Sequence, residues 1–339
     1  MERMYIITGA FGHLGYTIMK MLVEDGKNVR GLVLPSDNLE GREKLQADIV
    51  RGNVCDINSL IPLFTFDEKY EVIVIHTAGI VSIASKFNQL VYDVNVNGTK
   101  NIIEMCKKYN VQRLIHVSSV HAIPEKHNNE CITEVDKFNP DDVVGLYAKT
   151  KAEATQLVLD SKKDGLDVVV VHPAGIIGPN DYGKGHLTQL VIDYCKGTLT
   201  AAIKGGYNFV DVRDVAQGII SAIDNGKSGE CYILSNKFYS LNEFFDMLYA
   251  ICNRPRIKTI LPIWFAKLTA PLAELYYKIL KQPPLYTKYS IYTINTNSNF
   301  SYEKANRDLG YTTREMKDTL RDTVLFLVNT GRINKNRIR

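Results

Sequence analysis

Short β-branched runs alternate with helical patterns over the first 235 residues, and this alternation constrains the fold more than any other feature. Candidate strands lie at 4–8, 28–34, 71–76, 113–117, 166–172 and 230–234, with helices at about 14–25, 88–108, 145–164 and 213–224 between them. Several strands are apolar on both faces, as strands are when helices cover both sides of a parallel sheet. We therefore predict an α/β fold with a doubly wound parallel sheet.

A glycine-rich turn, TGAFGHLG, follows the first predicted strand and precedes the first predicted helix. Gly9, Gly12 and Gly15 permit a tight turn, close approach of the backbone to a pyrophosphate, and close helix packing. The helix N-terminus offers unpaired N–H groups and the positive end of its dipole to an anion. Three glycines alone could simply build a turn, but their place at the start of a βαβ series predicts a dinucleotide site.

A tyrosine and a lysine four residues apart, in GLYAKTK (145–151), form a candidate acid–base pair. Tyr147 and Lys151 would lie on one helix face, where an ammonium lowers the pKa of a neighbouring phenol. The same spacing occurs at two other places, Tyr16/Lys20 and Tyr277/Lys281. Spacing alone therefore selects none of them, and a half-buried tyrosine beside a solvated lysine would explain each.

Six motifs stand in the order seen in extended short-chain dehydrogenases/reductases: TGAFGHLG, HTAG (76–79), NVNGT (95–99), VSS (117–119), YAKTK (147–151) and FVDVRDVA (209–216). The chain resembles this family, which belongs to the NAD-dependent epimerase/dehydratase superfamily, over most of its length. Two late segments, PPL (283–285) and YEKANRDLGY (302–311), are most similar to the dihydroflavonol reductase and 3β-hydroxysteroid dehydrogenase branch. The resemblance implies a Rossmann fold and an NAD(P)-dependent enzyme.

The resemblance also implies three catalytic side chains, Ser119, Tyr147 and Lys151. In the family the serine hydrogen-bonds the substrate oxygen, the tyrosine passes the proton, and the lysine holds the nicotinamide ribose and lowers the tyrosine pKa. Ser118 stays open as the alternative serine, because neighbouring strand residues point to opposite faces. The tyrosines of the two other pairs follow no strand that ends in serine. His121 and His172 are interpreted as hydrogen-bonded structural residues.

The cofactor contacts that the resemblance implies come from six places along the chain. They are Gly9, Phe11, Gly12, His13, Leu14 and Gly15 in the first turn; Asp37; Asn53 and Val54; Ala78 and Gly79; Tyr147 and Lys151; and Pro173 and Ile176. NAD enzymes usually carry an acidic residue at the end of the second strand, and NADP enzymes often an arginine nearby. Here Val33 and Leu34 stand at that end, so Asp37 is the candidate for a ribose, and Arg30 or Arg42 for a phosphate. The nearest polar group is the carboxylate, which favours NAD.

The substrate is predicted from a departure in the loop after the serine. Sugar-nucleotide epimerases and dehydratases of the superfamily usually end this loop in Tyr-Gly, whereas SSVHAIPE has Ile123-Pro124 there. This favours oxidoreduction of a carbonyl or alcohol on a mostly apolar small molecule. Two alternatives stay open: a sugar-nucleotide epimerase or dehydratase, and a non-catalytic dinucleotide sensor.

Strand patterns fade after residue 235, which predicts a smaller, mostly helical substrate region at 236–331, with parts of 174–210 contributing to it. Helical patterns lie at 240–251, 262–281 and 315–329. In the second, an apolar face with Trp264 and Leu268 is expected to pack into a core. Its four aromatic residues, Trp264, Phe265, Tyr276 and Tyr277, would line an apolar pocket. The basic tail, 332–339, is expected to fray.

Composition limits the partners of this 339-residue chain. A net charge of +4 is too small to argue for nucleic acid, and Lys267, Glu274 and Lys278 interrupt the most apolar late stretch, so no membrane span is expected. The six cysteines show no metal-ligand spacing and indicate reduced thiols in a cytoplasmic protein. No signal peptide is predicted, and a homodimer is left open.

Overall fold

The computed structural model describes residues 2–38, 42, 45–66, 69–83, 86–126, 129–183, 185–269 and 287–338. The strands are β1 Arg3–Thr8, β2 Asn28–Val33, β3 Asp48–Arg51, β4 Glu71–His76, β5 Arg113–Val117, β6 Val168–Pro173, β7 Gly175–Ile177, β8 Ala201–Ile203, β9 Gly206–Asp211, β10 Cys231–Leu234, β11 Lys237–Ser240 and β12 Thr259–Leu261. The helices are α1 His13–Glu24, α2 Ile61–Phe64, α3 Gln89–Tyr92, α4 Gly98–Lys108, α5 Leu146–Ser161, α6 His186–Lys196, α7 Val212–Asn225, α8 Leu241–Ile251, α9 at 263–269, α10 Lys288–Thr293, α11 Glu303–Leu309 and α12 Met316–Asn329.

Seven of these strands form one parallel sheet in the order β3-β2-β1-β4-β5-β6-β10. The predicted α/β fold with a doubly wound parallel sheet is confirmed, and six of its seven strands were predicted within two residues of their ends. The sequence missed β3, an edge strand whose residues are half-buried or exposed. The strand order reverses between β1 and β4, which is where open α/β sheets bind their ligands.

The C-terminal region is largely helical and also contributes strands that were not predicted. β11 pairs with β9, and β9 with β7, while β12 pairs with β8. A second apolar core forms where α6, α8, α12 and β9 meet. The region is not wholly separate from the sheet, because Ala305, Leu309 and Tyr311 belong to the main core.

Two expectations about the C-terminal region are corrected. Trp264 and Leu268 do not pack into a core, because they are 66% and 68% exposed, and the described part of α9 instead buries Ala266 against Ile291. Tyr276 and Tyr277 lie outside the described residues. The tail does not fray over its described length: Ile333 is buried, and Ile338 forms an antiparallel bridge with Cys252.

Candidate active site

The predicted site residues lie at one edge of the sheet because parallel strands end together. The glycine-rich turn follows β1, Ala78 and Gly79 follow β4, the two serines follow β5, and Pro173 ends β6. Tyr147 and Lys151 reach the same edge from the first two turns of α5. The structure thus brings predicted site residues from Gly9 to Pro173 to the carboxyl edge of the sheet, where open α/β sheets have their ligand cleft.

The glycine-rich turn depends on its glycines and leaves the start of α1 open. Gly9 has a φ of +66°, and a Cβ there would lie 2.8 Å from the Ala78 backbone. A Cβ on Gly15 would overlap the Gly9 carbonyl oxygen, so both glycines are needed for the turn itself. Gly12 has ordinary extended backbone angles, and α1 begins after it with no side-chain cap and no acidic residue in its first turn. The open helix N-terminus therefore fits an anionic group.

The other side chains of the turn shape it rather than point at a ligand. His13 Nε2 lies 2.9 Å from the Pro179 carbonyl oxygen, and Leu14 is buried in the core. The Phe11 ring lies under the Arg42 guanidinium, 4.6 Å from its centroid. Contacts of this segment with a dinucleotide would therefore come mainly from backbone N–H groups.

Three further predicted contact residues are held by local hydrogen bonds and packing. Asn53 Oδ1 accepts a hydrogen bond from the Cys55 N–H at 3.0 Å, while Val54 is buried against Gly98 at the start of α4. Asp37 directs one carboxylate oxygen to the Leu34 N–H at 2.9 Å. The carboxylate therefore stabilises its own turn as well as lying beside the end of β2.

Ser119 and Tyr147 meet across the cleft. Burial raises the pKa of the Tyr147 phenol, and the neighbouring Ser119 hydroxyl partly opposes this effect. Ser118 points the other way, with its Oγ 2.6 Å from Thr155 Oγ1 in the buried layer beneath α5. The geometry therefore brings Ser119, and not Ser118, to the tyrosine.

Lys151 is buried below this pair. Its Nζ donates a hydrogen bond of 2.6 Å to the Val117 carbonyl oxygen, and burial lowers its pKa to about 8. The pKa of Tyr147 is raised in this structure, so the lowering implied by the resemblance is absent from this arrangement of the described residues. A buried ammonium at this position still favours any negative charge that forms on the phenol.

Asn95 is a site residue that the sequence analysis did not name, although it opens the NVNGT motif. It lies in a π-helical turn, Asp93–Asn97, between α3 and α4. Its amide pairs with the Ile80 backbone, accepting at 2.8 Å and donating at 3.1 Å, and also donates to Thr150 Oγ1 at 3.0 Å. One buried amide thus ties the loop after β4 to α5 between Tyr147 and Lys151. A π-turn inside a helix often marks a functional site.

The two histidines behave differently from each other. His172 is buried, its Nδ1 lies 3.0 Å from the Ser119 carbonyl oxygen, and its ring stacks on Phe138. This contact positions the backbone of Ser119. The His121 ring meets Tyr147 edge-on at 6.1 Å, and burial lowers its pKa to about 4, so its imidazole is neutral at pH 7.

Tyrosines that the sequence analysis did not name cover the cleft from the C-terminal side. A Cβ on Gly145, which precedes α5, would overlap the Tyr289 ring. The ring therefore packs against the backbone two positions before Tyr147 in the chain. Tyr292 donates to Glu125 Oε1 at 2.6 Å, and Thr287, which caps α10, donates to the Ile83 carbonyl oxygen at 2.8 Å. α10 is therefore anchored to the loops after β4 and β5.

Comparisons with known proteins agree with this fold. Residues 5–235 match the family model described as NAD dependent epimerase/dehydratase family. Sterol demethylase protein B of Methylococcus capsulatus is 28% identical over 97% of this chain and 99% of its own length. A putative dihydroflavonol 4-reductase of Synechocystis is 28% identical over 96% and 95%. Mouse 3 beta-hydroxysteroid dehydrogenase type 7 is 28% identical over 91% and 90%.

The chain therefore belongs to the NAD dependent epimerase/dehydratase family, the extended short-chain dehydrogenases/reductases. The predicted resemblance to its dihydroflavonol reductase and 3β-hydroxysteroid dehydrogenase branch is confirmed, and the protein is an NAD(P)-dependent enzyme. Within the described ranges, no helix is long and apolar enough to cross a bilayer.

The shape of the glycine-rich turn predicts that Gly12→Val weakens dinucleotide binding at least 10-fold while the fold survives. The valine side chain would occupy the space into which a pyrophosphate fits, and its Cβ would meet the Gly9 carbonyl oxygen at 3.1 Å, which a small shift relieves. Titration with NADH and NADPH by fluorescence measures the affinity. Gly9→Val, with its positive φ, should lose stability as well. Unchanged affinity in a folded Gly12→Val protein would contradict the assignment.

Burial of Lys151 predicts an unusual pH dependence of stability. Because its folded pKa of about 8 lies below the value of the unfolded chain, the folded state binds fewer protons, and stability rises from pH 8 upward. Urea unfolding at pH 8 and pH 10 should show the wild type gaining about 2 kcal/mol relative to Lys151→Met. Lys149→Met, on the exposed face of the same helix, is the control. Parallel curves for wild type and Lys151→Met would refute the burial of the charge.

Proposed function

We propose that this enzyme interconverts a carbonyl and an alcohol on a mostly apolar small molecule, with net oxidation or reduction of its nicotinamide cofactor. The observation that carries the proposal is that the Ser119 hydroxyl lies beside the Tyr147 phenol, while the Lys151 ammonium is buried against the end of β5. These three groups lie at the same edge of the sheet as the glycine-rich turn. The proton donor would thus lie beside the oxygen of the substrate carbonyl, and the hydride source beside its carbon.

The side chains divide the chemistry between them. A bound nicotinamide would supply or accept the hydride. Ser119 would donate a hydrogen bond to the substrate oxygen, and the Tyr147 phenol would give that oxygen its proton in the reductive direction. Since burial raises the pKa of Tyr147, the phenol carries its proton at neutral pH and is ready to act as an acid. The Lys151 ammonium would stabilise the phenolate left behind.

The substrate side of the cleft supports an apolar ligand. Tyr289 and His121 flank Tyr147 with ring faces and edges, and the Tyr207 and Tyr292 hydroxyls already bond Thr293 and Glu125. A diphosphate would need cations, and these neighbours supply none. The three relatives are named for a sterol, a dihydroflavonol and a 3 beta-hydroxysteroid, none of which is a nucleotide sugar.

The choice between NAD and NADP would be made beside the end of β2. Only one carboxylate oxygen of Asp37 takes part in the bond with the Leu34 N–H. The other oxygen would accept a hydrogen bond from the ribose 2′-hydroxyl of NAD, which supports NAD as the cofactor. The Arg42 guanidinium lies nearby over Phe11 and would suit a 2′-phosphate. A substrate screen therefore needs both cofactors.

Tyr147→Phe is expected to lower turnover at least 100-fold with little change in cofactor affinity, because it removes only the proton-transferring hydroxyl. Tyr16→Phe is the matched control: Tyr16 stands four residues before Lys20 but packs edge-on against Tyr182. Turnover followed at the nicotinamide absorbance, together with a cofactor titration, separates the two effects. Full activity in Tyr147→Phe would rule out its role as the acid.

A substrate screen distinguishes oxidoreduction from epimerisation. A 3β-hydroxysteroid with NAD or NADP, or a dihydroflavonol with NADH or NADPH, should change the nicotinamide absorbance in proportion to substrate consumed, and with higher kcat/KM than UDP-glucose. Saturable turnover of UDP-glucose to its epimer without a net absorbance change would reassign the enzyme to the epimerases. Binding of cofactor with no turnover of any carbonyl, alcohol or sugar nucleotide would instead support the sensor.

A further inference from the structure

Two thiols, one in α6 and one directly after α8, touch inside the second core. Cys195 is the penultimate residue of α6, and Cys252 directly follows α8. Both are fully buried, and their Sγ atoms lie 2.9 Å apart although the residues are 57 positions apart in sequence. Neither belongs to the proposed active site.

We propose that Cys195 and Cys252 form a site of reversible oxidative modification, at which hydrogen peroxide converts the two thiols into a disulfide. The proposal goes beyond the oxidoreductase reaction and does not depend on it. The disulfide would join the segment that follows β7 to the C-terminal region.

The geometry is already close to that of the product. A disulfide places its sulfurs about 2 Å apart, so closure requires a relative movement of less than about 1 Å. Both side chains remain inside the same core, with Tyr194 and Phe245 stacked beside them at 5.6 Å between ring centroids. The bond therefore needs no rearrangement of the helices.

The chemistry is balanced with peroxide as the named oxidant. The Cys195 sulfur attacks one peroxide oxygen, the O–O bond breaks, and the other oxygen leaves as water after protonation, which gives a sulfenic acid. The Cys252 sulfur then attacks that sulfur, the S–S bond forms, and the sulfenic oxygen leaves as a second water. Two thiols lose two electrons and two protons in total, and one peroxide is reduced to two waters.

We place the first attack on Cys195 because a cation lies next to it. Arg254 Nε donates to the Cys195 carbonyl oxygen at 2.9 Å, and the Arg254 guanidinium favours the thiolate. The hydrogen bond with Cys252 and burial act in the opposite direction and raise the Cys195 pKa. Oxidation is therefore expected to be slow in the closed protein.

The C-terminal tail covers the pair. Ile338 bridges Cys252, and the Asn253 N–H donates to the Arg337 carbonyl oxygen at 2.7 Å. Peroxide reaches the thiols when this short contact opens. Tail opening would thus set the rate, and the disulfide, once formed, would hold α6 and α8 together.

The test uses the full chain carrying Cys131→Ser, which removes an exposed thiol that would react first. The reduced protein is treated with hydrogen peroxide, alkylated, digested without reductant and analysed by mass spectrometry. We expect a peptide cross-linked through Cys195 and Cys252 that dithiothreitol cleaves. We also expect the oxidised protein to melt at least about 3 °C higher, because the cross-link restricts the unfolded chain.

Matched variants assign the bond. Cys195→Ser should abolish the cross-linked peptide, whereas Cys106→Ser, which removes a buried thiol from the other core, should leave it intact. If Cys195→Ser does not fold, the peptide from the parent protein decides alone. Complete alkylation of both thiols after peroxide treatment and unfolding, or oxidation that ends at a sulfinic acid without a cross-link, would overturn the proposal.

Discussion

A buried ammonium is the constraint around which the cleft is organised. Removing a charged lysine from water is costly unless hydrogen bonds replace the solvent. The Val117 carbonyl oxygen supplies one such bond to Lys151 at 2.6 Å, where β5 ends. Gly79, in the loop after β4, also lies close to the ammonium, since a Cβ there would make an ordinary contact with the Lys151 Nζ at 3.8 Å. The ends of β4 and β5 and the start of α5 are therefore fixed relative to one charge.

The layer beneath the ammonium stays neutral. Three buried histidines, His76, His116 and His172, stand on adjacent strands of the sheet, and the His76 and His116 rings are 5.4 Å apart. Burial, and then the charge of Lys151, lower the pKa of His76 to about 3 and that of His116 well below its ordinary value. Uncharged imidazoles beside the lysine avoid repulsion with it. Among the described residues, neither ring nitrogen of His116 has a hydrogen-bond partner, a deficit that an internal water would relieve.

The Asn95 network shows how a local irregularity serves the site. A regular helix through 89–108 would rotate this amide away from the Ile80 backbone, and the π-turn adds the residue that keeps it there. The same amide reaches Thr150, whose hydroxyl in turn donates to the Tyr147 carbonyl oxygen at 2.9 Å. The tyrosine-bearing turn is thus held by a residue more than fifty positions earlier in the chain.

The sequence by itself determined the sheet and the residues at its edge. Apolar runs, helical periods and the glycine-rich turn are local patterns, so they revealed six strands of the sheet and the family to which the chain belongs. β3 escaped because its partly exposed residues carry little of the strand pattern. The prediction that the apolar face of α9 packs into a core was wrong, because periodicity identifies an apolar face but not the residues that cover it.

Tertiary structure decided what depends on distant parts of the chain. It separated Ser119 from Ser118 through contacts with Tyr147 and Thr155, which no strand pattern contains. It brought Tyr289 onto Gly145, and Cys195 onto Cys252, across separations over which sequence periodicity carries no information. It also set the proton affinities, because the pKa values of Tyr147 and Lys151 depend on how much water folding removes from around them.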